Sequence, residues 1–206
     1  MNEVGVRDTG RLAIAVGTVA AGSAVCLATY FAVQGPFGTI NDIGNAATGL
    51  LGGWLIWRFR RQRPERPAVV AGGALVGAAL TVVGSALVIS GTTGFFFAGL
   101  VSGVGFAAIG VSVVAVSRSS TAAAEWPRMI RRLGVAAGVL MAAGFILIPG
   151  IVLGLDDMAT APGWVWIGFL GWFGTFVAYP AWAISLGIAM TRTVRQATAL
   201  PGGVEA

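Results

Sequence analysis

The chemistry of this 206-residue chain is concentrated in one stretch, Thr39-Ile40-Asn41-Asp42-Ile43-Gly44-Asn45. On a helix, Asp42 and Asn45 are three residues apart, and Asn41, Asn45 and Thr48 follow an i, i+4, i+7 stripe. A carboxylate and two carboxamides on one face can hold a cation, contact a solute or relay a proton. Such groups are costly inside a membrane and stay there only with a partner or a function. The competing expectation is local. Thr39 and Asp42 match the Thr-x-x-Asp spacing of a capping box, which satisfies free amides at a helix start, and a carboxylate there meets the positive end of the helix dipole. The sequence favours Asp42 as a cap, with Thr39, Asn41, Asp42, Asn45 and Thr48 as the candidate polar site.

A second set lies near the C-terminus, where Trp166, Phe169, Phe173 and Phe176 share a stripe ahead of Tyr179-Pro180. Pro180 removes one helical hydrogen bond, and Pro149-Gly150 does the same upstream. Two broken helices can line a gated cavity, but kinks tolerated beside neighbouring helices are commoner. Pro149, Tyr179 and Pro180 are therefore candidates for a cavity lining or a kink, with packing the expected role.

Other chemistry is missing. There is no histidine, and the single cysteine, Cys26, lies in an apolar run. Zinc and haem sites of the ordinary kinds and Ser-His or Cys-His nucleophile pairs have no ligands or bases to draw on, so no catalytic residue, cofactor or metal is expected. Gly103-Val104-Gly105 sits in an apolar run and is no nucleotide loop. Asp156 and Asp157 read as a solvated connector, because calcium needs six or more oxygens. A lipid-acting enzyme has only Asp42 and Tyr179 to work with, and acid–base catalysis normally needs paired groups.

These residues are carried by a chain that is 56% hydrophobic and 10% charged, with mean hydropathy +0.85. Soluble domains are about one quarter charged. The apolar residues come in runs of about 20, the length of a helix crossing a ~30 Å hydrocarbon core, without the alternation of a barrel strand. The expected fold is all-α, a six-helix transmembrane bundle with spans at about 12–34, 37–58, 68–90, 94–116, 132–155 and 163–190. The first span exceeds the 7–15 residues of a cleavable signal. Segments 1–11 and 191–206 are the expected cytoplasmic ends of a transmembrane domain covering 12–190.

All thirteen basic residues are arginine, which with the abundant glycine and alanine fits a GC-rich bacterial genome. They fall at the N-terminus (Arg7, Arg11), in the second connector (Arg58, Arg60, Arg61, Arg63, Arg66), in the fourth (Arg118, Arg128, Arg131, Arg132) and in the tail (Arg192, Arg195). Alternate connectors have none. The positive-inside rule places that side, and both termini, in the cytoplasm of a cell with its cytoplasmic membrane as host. Dispersed charge of this kind marks topology, so no nucleic-acid partner is expected. The fourth connector suggests a short interfacial helix near Ala122–Glu125, with Trp126 and Trp54 as interface markers.

Small residues indicate how the helices meet, since apolar side chains gain little from one another in lipid. Gly73, Gly77, Thr81 and Ser85 make one seam, and Gly99, Gly103 and Ala107 a second. Gly134, Gly138 and Ala142 make a third, and Gly168, Gly171 and Gly174 a fourth. Their expected use is internal packing, with a homo-oligomer or a membrane-protein partner as the other outcome. The expectation for function is a non-enzymatic structural or accessory membrane protein. The alternative is a small-solute permease or channel using Asn41, Asp42 and Asn45.

Overall fold

The computed structural model describes residues 3–62 and 67–198, and no strand occurs among them. Arg63, Arg66 and residues 199–206 lie outside the described residues. Four unbroken helices come first: α1 (Glu3–Val33), α2 (Phe37–Gln62), α3 (Ala68–Ile89) and α4 (Phe95–Arg118). The short α5 (Ser120–Glu125) follows. A fifth rod then runs from α6 (Arg128–Ala142) through a 3-10 turn (Ala143–Leu147) into α7 (Ile148–Val152). After a 3-10 turn at Met158–Thr160, the sixth rod joins α8 (Val165–Phe173), a π segment (Gly174–Ala178) and α9 (Tyr179–Thr198).

The irregular turns have a common cause. Proline at 149 cannot donate to the Phe145 carbonyl, and the Ile148 N–H takes that oxygen instead, tightening the turn to 3-10 geometry. Proline at 180 leaves the Phe176 carbonyl without its donor, and the turn before it widens. The Tyr179 N–H donates to the Gly174 carbonyl five residues back, the π pattern.

Each rod packs antiparallel on the next, and the sixth returns to α1, closing a ring. Glycines mark the close approaches. A Cβ on Gly77 would strike the Gly105 carbonyl oxygen, and one on Gly53 would lie 2.9 Å from Ala78 Cβ. Gly110 faces Gly138, Gly174 faces Met141, and Gly10 and Gly17 face α9 at Gly187 and Ile184. Each of the four small-residue series has members at contacts between helices of this one chain.

Large apolar side chains point outward on every rod, among them Val25, Leu50, Val76, Val111, Val139 and Phe173. In water so broad an apolar surface is an aggregation hazard; around helices of this length it is the surface that lipid covers. The chain is a helical membrane protein. Five rods are long and apolar enough to span: Val4–Val33, Ala68–Ile89, Phe95–Arg118, Arg128–Val152 and Val165–Thr193. The exception is α2, whose hydropathy is lowered by Asn41, Asp42, Asn45, Thr48 and its terminal arginines.

Trp126 departs from its expected interfacial role. It is buried, its ring 5.5 Å from that of Phe59, and its extended backbone, favoured ahead of Pro127, ends α5. The half of the bundle towards the arginines is filled by Tyr179, Trp182, Leu55, Ile56, Ile109 and Val113.

Candidate functional site

Helix α2 starts at Phe37, with the Pro36 carbonyl already accepting from Ile40 N at 3.0 Å. Thr39 is thus the third helical residue and Asp42 the sixth. The free amides of a helix belong to its first turn, so Asp42 lies beyond them and the Thr39–Asp42 capping box does not form. Thr39 is exposed. The correction follows from where the helix begins.

With no amides to cap, Asp42 faces the bundle. It is 8% exposed and lines a cavity of about 30 Å³ bounded by α1, α2, α3, α4 and the sixth rod. Asn41 and Asn45 line it from α2, Ser102 from α4, and Trp172 and Thr175 from the sixth rod. The outward face of α2 is apolar instead, carrying Ile43, Leu50 and Trp54. A soluble helix has the reverse arrangement.

Ser23 on α1 fixes the amides. Its Oγ lies 3.0 Å from the Asn41 main-chain oxygen, from Asn41 Oδ1 and from Asn45 Oδ1. One hydroxyl proton serves only one of these at a time. Turning the Asn45 carboxamide over places an N–H donor on the hydroxyl, while the Asn41 side chain keeps its hydrogen bond to Asp42. Gly44 makes the approach possible, since a Cβ there would stand 2.8 Å from Ser23 Cβ.

Trp172 carried no signal in the sequence beyond being aromatic. It packs edge-on against Phe95, Phe169 and Phe176 at centroid distances of 6.4, 4.5 and 6.3 Å. The aromatic stripe divides accordingly. Trp166 and Phe173 stay exposed, whereas Phe176, beyond the start of the π segment, lines the cavity.

The other candidates lie elsewhere. Thr48 is buried with its hydroxyl unpartnered. Pro149 is exposed on the fifth rod. Pro180 is buried, its carbonyl 2.8 Å from the position of a Cβ on Gly17. Tyr179 is buried with its hydroxyl unpartnered beside Gly52. Gly52 is ten residues along α2 from Asp42, about 15 Å of helix rise. Asp42 and Tyr179 are therefore not brought together as an acid–base pair.

Asp156 and Asp157 are structural hydrogen-bond acceptors rather than a merely solvated loop. Asp156 Oδ2 accepts from Gly94 N at 2.7 Å and Oδ1 from Phe97 N at 3.0 Å, which caps α4 from a remote connector. Asp157 Oδ1 accepts from Ala159 N at 2.8 Å and caps the small 3-10 turn.

The cavity can house one or two waters or a small dehydrated cation, since one water needs roughly 10–15 Å³ by this measure. One carboxylate with amide and hydroxyl oxygens is a hard donor set of low charge. It suits a monovalent cation or a proton better than calcium, which takes six to eight oxygens. No protein family, curated protein or solved structure matches this chain.

Proposed function

We propose that this is a six-span protein of the cytoplasmic membrane that handles a small monovalent cation or a proton at Asp42. In this reading α2 is the sixth crossing. Its 26 residues give about 39 Å of helix, more than a ~30 Å hydrocarbon core needs, and its polar residues are turned away from lipid. The arginine-bearing end, with both chain termini, faces the cytoplasm by the positive-inside rule. Asp42 then opens towards the outer half of the membrane.

The observation that favours transport over a structural or accessory role is the direction of the α2 polar face. It points into a cavity shared by five rods, not at lipid and not at a surface where a partner could dock. Below the cavity the packed cluster around Tyr179 and Trp182 closes the bundle. Passage requires that plug to open. The π segment at Gly174–Ala178 touches the cavity and leads directly into the plug, and its altered hydrogen bonding makes it the natural place for the sixth rod to bend.

The test is flux into proteoliposomes, followed separately with sodium-, potassium- and proton-sensitive dyes. Wild type is expected to move one of these, and Asp42→Asn to abolish the movement while purifying as a folded protein. An Asp42→Asn protein with wild-type flux removes the ionic role. Wild-type protein inert to all three, recovered from native membranes with a stoichiometric membrane-protein partner, establishes the accessory reading instead.

A further inference from the structure

A second cleft lies at the opposite, arginine-bearing end, and it is independent of Asp42. Arg118 from the end of α4 meets Arg128, Arg131 and Arg132 from the first turns of α6 around a concavity of about 610 Å³. Among the described residues, the ion pair of Arg58 with Asp8 at 3.9 Å lies elsewhere. Four converging cations repel one another. Helix stability does not account for the three on α6, because arginines at a helix N-terminus oppose its dipole, whereas Arg118 in the last turn of α4 complements its own.

Further donors are left open at the same cleft. Arg131 Nε, on one of the lining side chains, is buried and has no protein partner. Helix α6 begins after Pro127 with no side-chain cap, so its first amides add to the positive potential. This is a donor set for a phosphate group. The rest of the wall is apolar: Val135, Ala136 and Val139 continue along α6 from the arginines, and Val139 is 57% exposed on the surface that lipid covers.

We propose that this cleft binds an anionic phospholipid, its phosphate held by Arg118, Arg128, Arg131 and Arg132 and an acyl chain lying along Val135, Ala136 and Val139. Free phosphate shares the headgroup chemistry but leaves the apolar wall unused, which is why the lipid is the assigned occupant. Basic pockets at membrane-facing helix ends are general sites for such headgroups.

The full-length protein in a neutral detergent is titrated with phosphatidylglycerol, phosphatidylcholine or inorganic phosphate. Thermal unfolding and lipid retention by native mass spectrometry are the readouts. Phosphatidylglycerol is expected to raise the melting temperature and remain bound, and the other two are not. At about 1 kcal/mol per arginine near an anionic headgroup, R131Q/R132Q should weaken the apparent affinity about 30-fold. The control R60Q/R61Q, on α2, should leave it unchanged.

Should R131Q/R132Q fail to fold, A136W decides. Its indole fills the exposed acyl groove while every arginine stays, and it is expected to lose the lipid. Equal effects of phosphatidylglycerol and phosphatidylcholine overturn the proposal, as does undiminished affinity in R131Q/R132Q or in A136W. Inorganic phosphate reproducing the whole shift assigns the cleft to free phosphate and overturns the lipid.

Discussion

Asp156 and Asp42 lie towards the same arginine-free end of the bundle, one on a connector and one within helix α2. Each oxygen of Asp156 accepts from a backbone amide at the start of α4. Asp42 sits three residues past the last free amide of its own helix and faces a small cavity instead. The difference teaches that a carboxylate caps a helix only where unpaired N–H groups are within reach, whatever its local spacing suggests. The same side chain without those groups turns to the neighbouring Asn41 side chain and to the cavity.

The largest stability effect is expected for Asp156→Ala. Two charge-assisted bonds are lost, and a missing cap costs about 0.5–2 kcal/mol. Thermal unfolding in micelles should show this as a clear drop in midpoint. An unchanged midpoint would mean that Asp156 caps nothing and that the two aspartates do not differ. Ser23→Ala comes next, at about 1 kcal/mol, because its hydroxyl ties α1 to Asn41 and Asn45. The same variant should impair flux by releasing the amides beside Asp42, and full flux would detach Ser23 from the site.

Asp156→Asn should be milder than Asp156→Ala. Its amide oxygen still accepts one backbone bond, and the loss of charge at the helix start costs about 0.3–1 kcal/mol. Equal midpoints for the Asn and Ala forms would show that the charge, not the acceptor, supplies the cap. The smallest stability change belongs to Asp42→Asn, within about 0.5 kcal/mol of wild type or above it, since no cap is removed and a buried charge is relieved. This variant should nonetheless lose all flux. A large drop in its melting midpoint would return Asp42 to a structural role and erase the contrast with Asp156.

Much of the architecture follows from residues close together along the chain. Apolar runs of about 20 residues have helices as their usual way to satisfy backbone groups in hydrocarbon. Small residues at helical spacing mark where backbones meet, as Gly77 does against Gly105. The breaks before Pro149 and Pro180 follow from one missing N–H each, although whether the turn tightens to 3-10 or widens to π is decided by the neighbours it packs against. The alternation of the arginines along the chain gathers the described ones towards one end of the bundle.

Tertiary structure decided the roles of the polar and aromatic side chains, because their partners are remote in sequence. Asp156 reaches an amide 62 residues away, and Ser23 reaches an amide oxygen 22 residues away; neither contact has a local pattern. Trp126 became a core residue once α5 ended against Phe59. Thr39 and Asp42 satisfied a local capping rule that failed because Pro36 started the helix two residues before Thr39. Periodicity and backbone hydrogen bonding act over a few residues and can be read from order alone. Which charge finds an amide, and which finds a cavity, depends on how whole helices come to rest against one another.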